Sequence, residues 1–268
     1  MQVSVIILNY NTFELTCKCI QSVLDQTKDL VYEIILVDNA SVECDASLFQ
    51  VKFPDIKLVQ SQINLGFAGG NNLGLKSALG DVILLLNSDT ELKNNAIKLC
   101  YDYLISHKKV GAVTTKLLYP DGRIQSNCQR FPNVFYNFLE LLRFQKFFKQ
   151  AGGRLQQGPF FDYSEIVETD WTWGAFFMFP KAVMQSLPEG KLYEKFFMYG
   201  EDLKWCWDIR KAGYKVVYVP DGKVIHHLGG SSGPKFHEMD KNRNIFLKEH
   251  YSPLKIWWIS LSEKLLRS

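Results

Sequence analysis

Four short apolar runs, Val3 to Leu8, Glu33 to Val37, Ile56 to Val59 and Asp81 to Leu86, punctuate the first third of the chain. Each is rich in Val, Ile and Leu with little polar alternation, the pattern of a parallel strand buried on both faces. Between them Glu14 to Asp25, Glu43 to Val51 and Ala68 to Leu79 read as crossover helices. Such a βαβ series, with right-handed connections, builds a doubly wound α/β sheet. At 268 residues and 47% hydrophobic content, the chain is long enough for one such domain. No internal repeat, low-complexity tract or long linker divides it, so one continuous domain is expected.

Beyond Val113 the pattern loosens. Tyr119-Pro120-Asp121-Gly122 carries turn chemistry, and Asn133 to Lys149 is aromatic and basic. Asp170 to Met178 reads as one strand, Glu201 to Ala212 as a helix, and Lys215 to Val219 as a further strand leading to His226-His227-Leu228-Gly229-Gly230.

Bulk properties exclude several classes. The formal charge is only +3 and the basic residues are dispersed, so there is no electrostatic footprint for nucleic acid. Six cysteines show neither C-x-x-C pairs nor zinc spacing and read as reduced thiols. The N-terminus has no basic region or cleavage site, and no apolar run approaches the ~20 residues that span a bilayer. A cytosolic protein is expected, with contact at the inner membrane face left open.

In open α/β sheets ligands bind beyond the carboxyl ends of the strands. Here three strands stop at polar clusters: Asn9-Tyr10-Asn11, Asp38-Asn39-Ala40-Ser41 and Asn87-Ser88-Asp89. Asn, Asp and Ser are also good turn and cap residues, which accounts for any one cluster but less readily for three at corresponding positions.

A carboxylate such as Asp89, at the end of a buried strand, can hold a hard divalent cation that bridges diphosphate oxygens; the bland alternative is a turn-capping Asp. Gly200-Glu201-Asp202 opens a helix, where acids favour the dipole, yet either carboxylate could also take a proton from an attacking hydroxyl. Asp202 is the expected base, with Glu201 positioning it or the acceptor. The pair His226-His227 offers an imidazole to a metal or a donor to phosphate, and the adjoining Gly229 to Gly233 stretch offers backbone amides to anionic oxygens. Asn64 to Asn72 reads as a glycine-rich loop opening a helix, with amides placed for phosphate or ribose. Neither G-x-G-x-x-G, nor a Walker loop, nor a G-x-S-x-G elbow occurs.

Two aromatic stripes have helical spacing: Phe135, Phe138, Leu139 and Leu142, followed by Arg143, Lys146 and Lys149; and Leu254, Trp257, Trp258, Leu261 and Leu265, flanked by Lys255, Lys264 and Arg267. Core packing is the default reading, and an interfacial surface is the alternative.

Taken in order, Val5 to Asn11, Val37 to Ser41, Asn64 to Asn72, Leu86 to Asp89, Trp173-Gly174-Ala175 and Phe197 to Asp202 resemble the family 2 glycosyltransferases of GT-A fold, particularly the bacterial rhamnosyltransferase-like branch. The likeness runs from about Val3 to about Gly230. It implies a GT-A type, mostly parallel central sheet with a C-terminal acceptor-side extension. Residues 1–115 would form the nucleotide-sugar-binding half, 116–235 the acceptor and catalytic half, and 236–268 a helical extension.

The resemblance also assigns roles. Asp38 would bond the pyrimidine and Asn9 lie near the nucleoside, with Asn11, Asn39, Asn64, Gly66, Asn71 and Ser88 completing the nucleotide site. Asp89 and His227 would hold Mg²⁺ or Mn²⁺, Asp202 and Glu201 would be catalytic, and Trp173, Gly174 and His226 would contact acceptor or phosphate. The family's metal motif is often D-x-D, whereas this chain has Asn87 in the first position, leaving a single carboxylate there. The implied reaction is inverting transfer of a sugar, rhamnose favoured, from a dTDP or UDP donor to a glycan or polyprenyl-diphosphate-linked acceptor in surface polysaccharide synthesis. A nucleotidyltransferase, a non-catalytic nucleotide-sugar binder and a glycoside hydrolase are the competing readings.

Overall fold

A computed structural model describes residues 1–228 and 236–267. The strands are β1 (Val3–Asn9), β2 (Tyr32–Asn39), β3 (Lys57–Ser61), β4 (Val82–Asn87), β5 (Thr90–Leu92), β6 (Val110–Leu118), β7 (Cys128–Gln129), β8 (Val167–Thr169), β9 (Trp171–Thr172), β10 (Phe176–Pro180) and β11 (Lys215–His226). The α-helices are α1 (Phe13–Gln26), α2 (Ser47–Lys52), α3 (Gly66–Leu75), α4 (Ala96–Ser106), α5 (Val134–Leu141), α6 (Phe144–Phe147), α7 (Lys149–Gln156), α8 (Lys181–Gln185), α9 (Glu201–Lys211), α10 (Phe236–His250) and α11 (Pro253–Arg267).

The main sheet runs β3-β2-β1-β4-β10-β6-β11-β5, with β8 also paired to β11. Strands β3, β2, β1 and β4 are mutually parallel, as are β6 and β11; β10 enters antiparallel between β4 and β6. This is the doubly wound, mostly parallel sheet the apolar runs imply. The four expected strands are all present, each shifted by a residue or two at its ends. Helix α2 is shorter than the expected Glu43 to Val51, and α3 begins and ends earlier than Ala68 to Leu79.

Both faces of the sheet are covered, which explains why the strand sequences lack polar alternation. Val3, Val5 and Ile7 of β1, with Val82, Leu84 and Leu86 of β4, join the core under α1 and α4. Ile6 of β1, with Ile83 and Leu85 of β4, joins the opposite core under α3 and α9. Leu84 is fully buried, so truncation to Ala would cost about 2–5 kcal/mol. Helix α3 is glycine-rich because it lies close on the sheet: a Cβ at Gly70 would fall 2.4 Å from Leu8, and one at Gly74 2.7 Å from Ile6. These contacts outweigh glycine's poor helix propensity.

Two expectations need correction. Asp170 to Met178 is not one strand: Trp171–Thr172 pairs with β7 in a separate two-stranded sheet, the chain turns at Gly174-Ala175, and only Phe176 onward enters the main sheet. Strand β11 does not stop at Val219 but continues to His226 through an irregularity between Val219 and Lys223. There Thr115 Oγ1 donates to the carbonyls of Val219 and Gly222, at 2.8 and 2.9 Å. That continuation carries the histidine pair to the rim where β4 ends, because His226 pairs with Thr90 of β5.

The C-terminal helices complete the domain by covering α9. Leu203 of α9 packs with Phe246 and Leu247 of α10 and Ile259 of α11. No helix among the described residues is long and apolar enough to cross a membrane.

Candidate active site

The carboxyl ends of β1, β2 and β4 form one rim, as parallel neighbours must. At its centre Asn9 is 1% exposed and fully engaged. Its Nδ2 donates to Asp38 Oδ1 at 2.7 Å and to Ser41 Oγ at 3.0 Å, while its Oδ1 accepts from Thr12 and Thr16 hydroxyls at 3.0 and 2.8 Å. Asn9 therefore orients Asp38, with no donor or acceptor left for a ligand. Ser41 N donates to Asp38 Oδ2, which fixes the other carboxylate oxygen. Asn11 crosses between the loops, accepting from Val42 N at 2.8 Å and donating its own N–H to Ser41 Oγ. Ser88 Oγ shares a hydrogen bond with Thr12 Oγ1 at 3.1 Å and so joins the β4 rim to the β1 loop. A recess of about 350 Å³ lined by Asn11, Thr12, Phe13, Glu14, Leu15, Glu43 and Cys44 opens beside this cluster. A larger one, about 420 Å³, is lined by Val110, Lys215 and their neighbours at the opposite, amino ends of β6 and β11.

The Asn64 to Asn72 segment is a lock. Asn39 Nδ2 donates to Asn64 Oδ1 and the Gly66 carbonyl, and Asn39 Oδ1 accepts from Leu65 N at 2.9 Å. Gly66 N is held by Asn64 Oδ1, and Phe67 N by the Phe197 carbonyl at 3.0 Å. The amides of Leu65, Gly66 and Phe67 are thus satisfied from within, so these three do not face phosphate as expected. Asn71 Nδ2 bonds back to the Phe67 carbonyl, and Asn72 clamps Leu192 and Glu194. Gly66 has φ +72°, and a Cβ there would lie 2.3 Å from the Phe197 carbonyl oxygen. The segment's contribution is to bring the Phe197 loop, which leads to Asp202, against the first half of the sheet.

Glu201 and Asp202 occupy the first turn of α9. Asp202 Oδ2 accepts from Gly174 N at 3.3 Å, and Oδ1 from Leu203 N at 2.8 Å. Gly174 also sits against Phe67 and Trp205, where a Cβ would come within 2.9 Å of the Phe67 ring. Burial pushes the Asp202 carboxyl above the usual range, against the lowering effect of the two amides. Glu201 is 3% exposed, and its Oε2 has no hydrogen-bond partner among the described residues. Burial first, and the charge of Asp202 second, push Glu201 upward as well. Two adjacent carboxyls that both resist ionisation hold one negative charge between them more readily than two.

Asp202 and Asp89 share the rim. Ala175, one residue beyond Gly174, accepts through its carbonyl from Asn87 N at 3.0 Å, and Asp89 lies two residues further along. Trp173 is half-buried against the β1–β4 core on the other side of Gly174.

The two histidines diverge. His226 is 5% exposed, and its Nε2 lies 3.4 Å from Asp89 Oδ1 and 3.4 Å from Asn87 Nδ2. Its Nδ1 faces Gln125 Oε1 at 2.9 Å, and Gln125 Nε2 donates to the His226 carbonyl at 2.7 Å. A glutamine carbonyl oxygen only accepts, so Nδ1 carries the ring proton and Nε2 presents a lone pair towards Asp89 in the neutral form. His227 Nε2 instead meets Glu91 Oε1 at 2.9 Å. The expectation that His227 is the imidazole beside Asp89 is corrected: that position belongs to His226. The expected Gly229 to Gly233 contribution lies outside the described residues.

Sequence reasoning missed Gln125, which sets the His226 tautomer, and Asn242 of α10. Asn242 Nδ2 donates to the carbonyls of Met198 and Tyr199, at 3.0 and 2.8 Å. It steadies a backbone with φ +71° at Tyr199 and +89° at Gly200, just ahead of Glu201. No local motif marks either residue.

The arrangement is a polar sheet edge with an acid pair held at the same rim. The model of glycosyl transferase family 2 matches residues 4–163. The chain is 23% identical over 253 residues to an N-acetylglucosaminyl-diphospho-decaprenol L-rhamnosyltransferase of Mycobacterium tuberculosis, covering 84% of this chain and 76% of that protein. It is 27% identical over 241 residues to the O-antigen biosynthesis protein RfbC of Myxococcus xanthus, covering 86% of this chain but 18% of the larger protein. Among solved structures it superposes on S. aureus TarS 1–349 with a TM-score of 0.58 at 17% identity, over 85% of this chain and 60% of that one. It superposes on GalNAc-T7 with UDP, GalNAc and Mn²⁺ with a TM-score of 0.66 at 16% identity, over 92% of this chain and 48% of that one. Those likenesses show a GT-A fold. With the family model spanning more than half its length and the strand-end clusters in their expected order, the chain belongs to glycosyl transferase family 2.

Proposed function

We propose that this glycosyltransferase moves a sugar, rhamnose favoured, from a dTDP or UDP donor to a hydroxyl of a glycan or polyprenyl-diphosphate-linked acceptor, with inversion, in surface polysaccharide synthesis. The observation that carries the reading is the placement of Asp202. Its half-buried carboxylate is held by the Gly174 amide on the same rim as Asp89. The Mycobacterium tuberculosis relative, named for transfer of L-rhamnose to an N-acetylglucosaminyl-diphospho-decaprenol, supports both the sugar and the acceptor class.

In this reading residues 1–115 hold the donor and 116–235 the acceptor. Asp38, Asn11 and Ser88 meet the nucleotide. Asn9 and Asn39, engaged at both side-chain amide atoms, build the frame that holds them, with Asn64 Oδ1, the Gly66 backbone and Asn71 Nδ2 bonded into it. The acceptor hydroxyl gives its proton to Asp202 and bonds to the anomeric carbon from the face opposite the diphosphate, whose bond to that carbon breaks. A carboxylate raised by burial is a stronger base than a solvated one, and such catalysis contributes about 10²–10⁴-fold. Glu201, staying protonated, leaves the negative charge on Asp202. Trp173 and Gly174 flank the acceptor.

The donor set at Asp89 fits a divalent cation. Among the described residues no three His, Cys, Asp or Glu side chains form a metal cluster. Mg²⁺ nevertheless commonly takes one or two protein carboxylates and fills its shell with substrate phosphate and water. Here the Asp89 carboxylate and His226 Nε2 come together, and Asn87, whose Nδ2 lies 3.4 Å from that nitrogen, adds an amide oxygen at the same strand end. That amide oxygen is buried and lacks a hydrogen-bond partner among the described residues. A bound Mg²⁺ or Mn²⁺ would supply positive charge to the leaving diphosphate.

Incubation with labelled dTDP- and UDP-sugars, with and without cation, tests the reading. Cation-dependent transfer, or slow donor hydrolysis without acceptor, is expected. Binding with no turnover, or cleavage of a glycan, would replace it.

A further inference from the structure

Most of the two aromatic stripes singled out in the sequence is exposed, Leu139 being the buried exception on α5. Helices α5 and α11 pack on each other, tied by Asn137 Nδ2 donating to Ser262 Oγ at 2.8 Å. Each turns one face inward: Leu139 on α5, Ile259 and Ser262 on α11 are buried. Their outer faces carry large apolar side chains in water. Phe138 is 54% exposed, Leu254 68%, Trp257 55% and Trp258 48%, and Phe135 and Leu142 are similarly open. An apolar face of this extent on a protein surface marks an interaction site.

The charge around the patch identifies that occupant. Arg143, Lys146 and Lys149 follow α5, and Lys255 and Lys264 lie on α11; all five are exposed. Over 134–149 the sole acid is Glu140; over 253–267 it is Glu263, already paired with Arg243. A protein interface is typically depleted of lysine at its core, whereas a bilayer interface favours tryptophan and phenylalanine at headgroup depth with lysine and arginine reaching anionic phosphates. The same sequence lacks a spanning helix among the described residues, so such a surface would hold the chain at the membrane without crossing it.

We propose that the outer faces of α5 and α11, with the basic segment through Lys149, form a docking surface for an anionic lipid bilayer. Apolar side chains enter the headgroup region while the basic residues offset lipid charge. The proposal is independent of the transfer chemistry, because bilayer binding needs no nucleotide sugar.

Sedimentation of the full chain with phosphatidylcholine vesicles, with and without phosphatidylglycerol, tests it. Binding should require phosphatidylglycerol, weaken with added salt, and fall by about tenfold or more when Trp257→Ser and Trp258→Ser are combined. The melting temperature and its rise with donor should stay those of the parent. Lys146→Glu with Lys149→Glu, on exposed positions away from α11, should weaken binding independently. Equal sedimentation of parent and both variants, or no binding at low salt, would overturn the proposal. So would a parent dimer that the tryptophan substitutions dissociate while vesicle binding persists, since the occupant would then be a second copy.

Discussion

Asp202 accepts a hydrogen bond from the Gly174 amide at 3.3 Å, which ties the first turn of α9 to the turn that feeds β10 into the sheet. Because Ala175 is in turn bonded to Asn87, an acid from the second half of the chain is held at the rim built by the first.

Burial raises Asp202 and Glu201, so the folded protein binds their protons more tightly than the unfolded chain does. Stability contributed by these groups is therefore present at low pH and is lost as pH rises from about 4 through the folded pKa values. Transfer should show the opposite trend, climbing as Asp202 ionises, with its acid limb above the ordinary aspartate range. A pH profile of kcat/KM together with melting temperatures over the same interval checks both signs. Gln in place of Glu201 should raise stability near pH 8 by about 1–3 kcal/mol.

The His226 assignment predicts an asymmetry between neighbouring residues. Asp89→Ala and His226→Ala should sharply weaken cation-dependent donor binding, whereas His227→Ala should leave it near the parent's. Gln125→Leu, which removes the acceptor at the far ring nitrogen together with the donor to the His226 carbonyl, should cost about 10–100-fold in metal affinity through loss of tautomer control. Calorimetric titration of Mn²⁺ and nucleotide diphosphate into each variant reads this directly; equal losses at His226 and His227 would refute the assignment.

Asn242 is 8% exposed and holds two carbonyls of the loop leading into Glu201. Asn242→Leu keeps the volume but removes both of these hydrogen bonds, at a cost of about 1–3 kcal/mol. If the clamp positions Asp202, kcat should fall while KM for the donor stays close to the parent's, and the acid limb of the pH profile should move. A variant that loses stability but keeps kcat and the pH profile would show that the clamp is structural alone.

The four early strands were legible because strands covered on both faces leave no room for polar residues, and Val3 to Leu8 and Asp81 to Leu86 display this plainly. The turn at Gly174 was hidden because the apolar run continues through it: Trp173 and Phe176 are both apolar, yet they belong to different stretches of backbone. The extension of β11 was masked by Pro220-Asp221-Gly222, whose turn-like composition marks an irregularity within the strand rather than its end. His226 is the last residue of β11 and His227 follows it, so choosing between them required the register with β5. The asparagines at the strand ends were recognisable as polar clusters. Their division into frame, as with Asn9 and Asn39, and candidate contact, as with Asn11, depends on which hydrogen bonds the fold already satisfies.

The central claim is that Asp202 performs proton removal at a donor site it does not itself build. Asp202→Asn keeps an oxygen to accept from Gly174 N–H, so the joint should survive. The most direct test measures donor affinity by calorimetry and sugar transfer by label on the same Asp202→Asn preparation. The account predicts donor binding like the parent's with transfer lower by about 10²–10⁴-fold; transfer near the parental rate would contradict it.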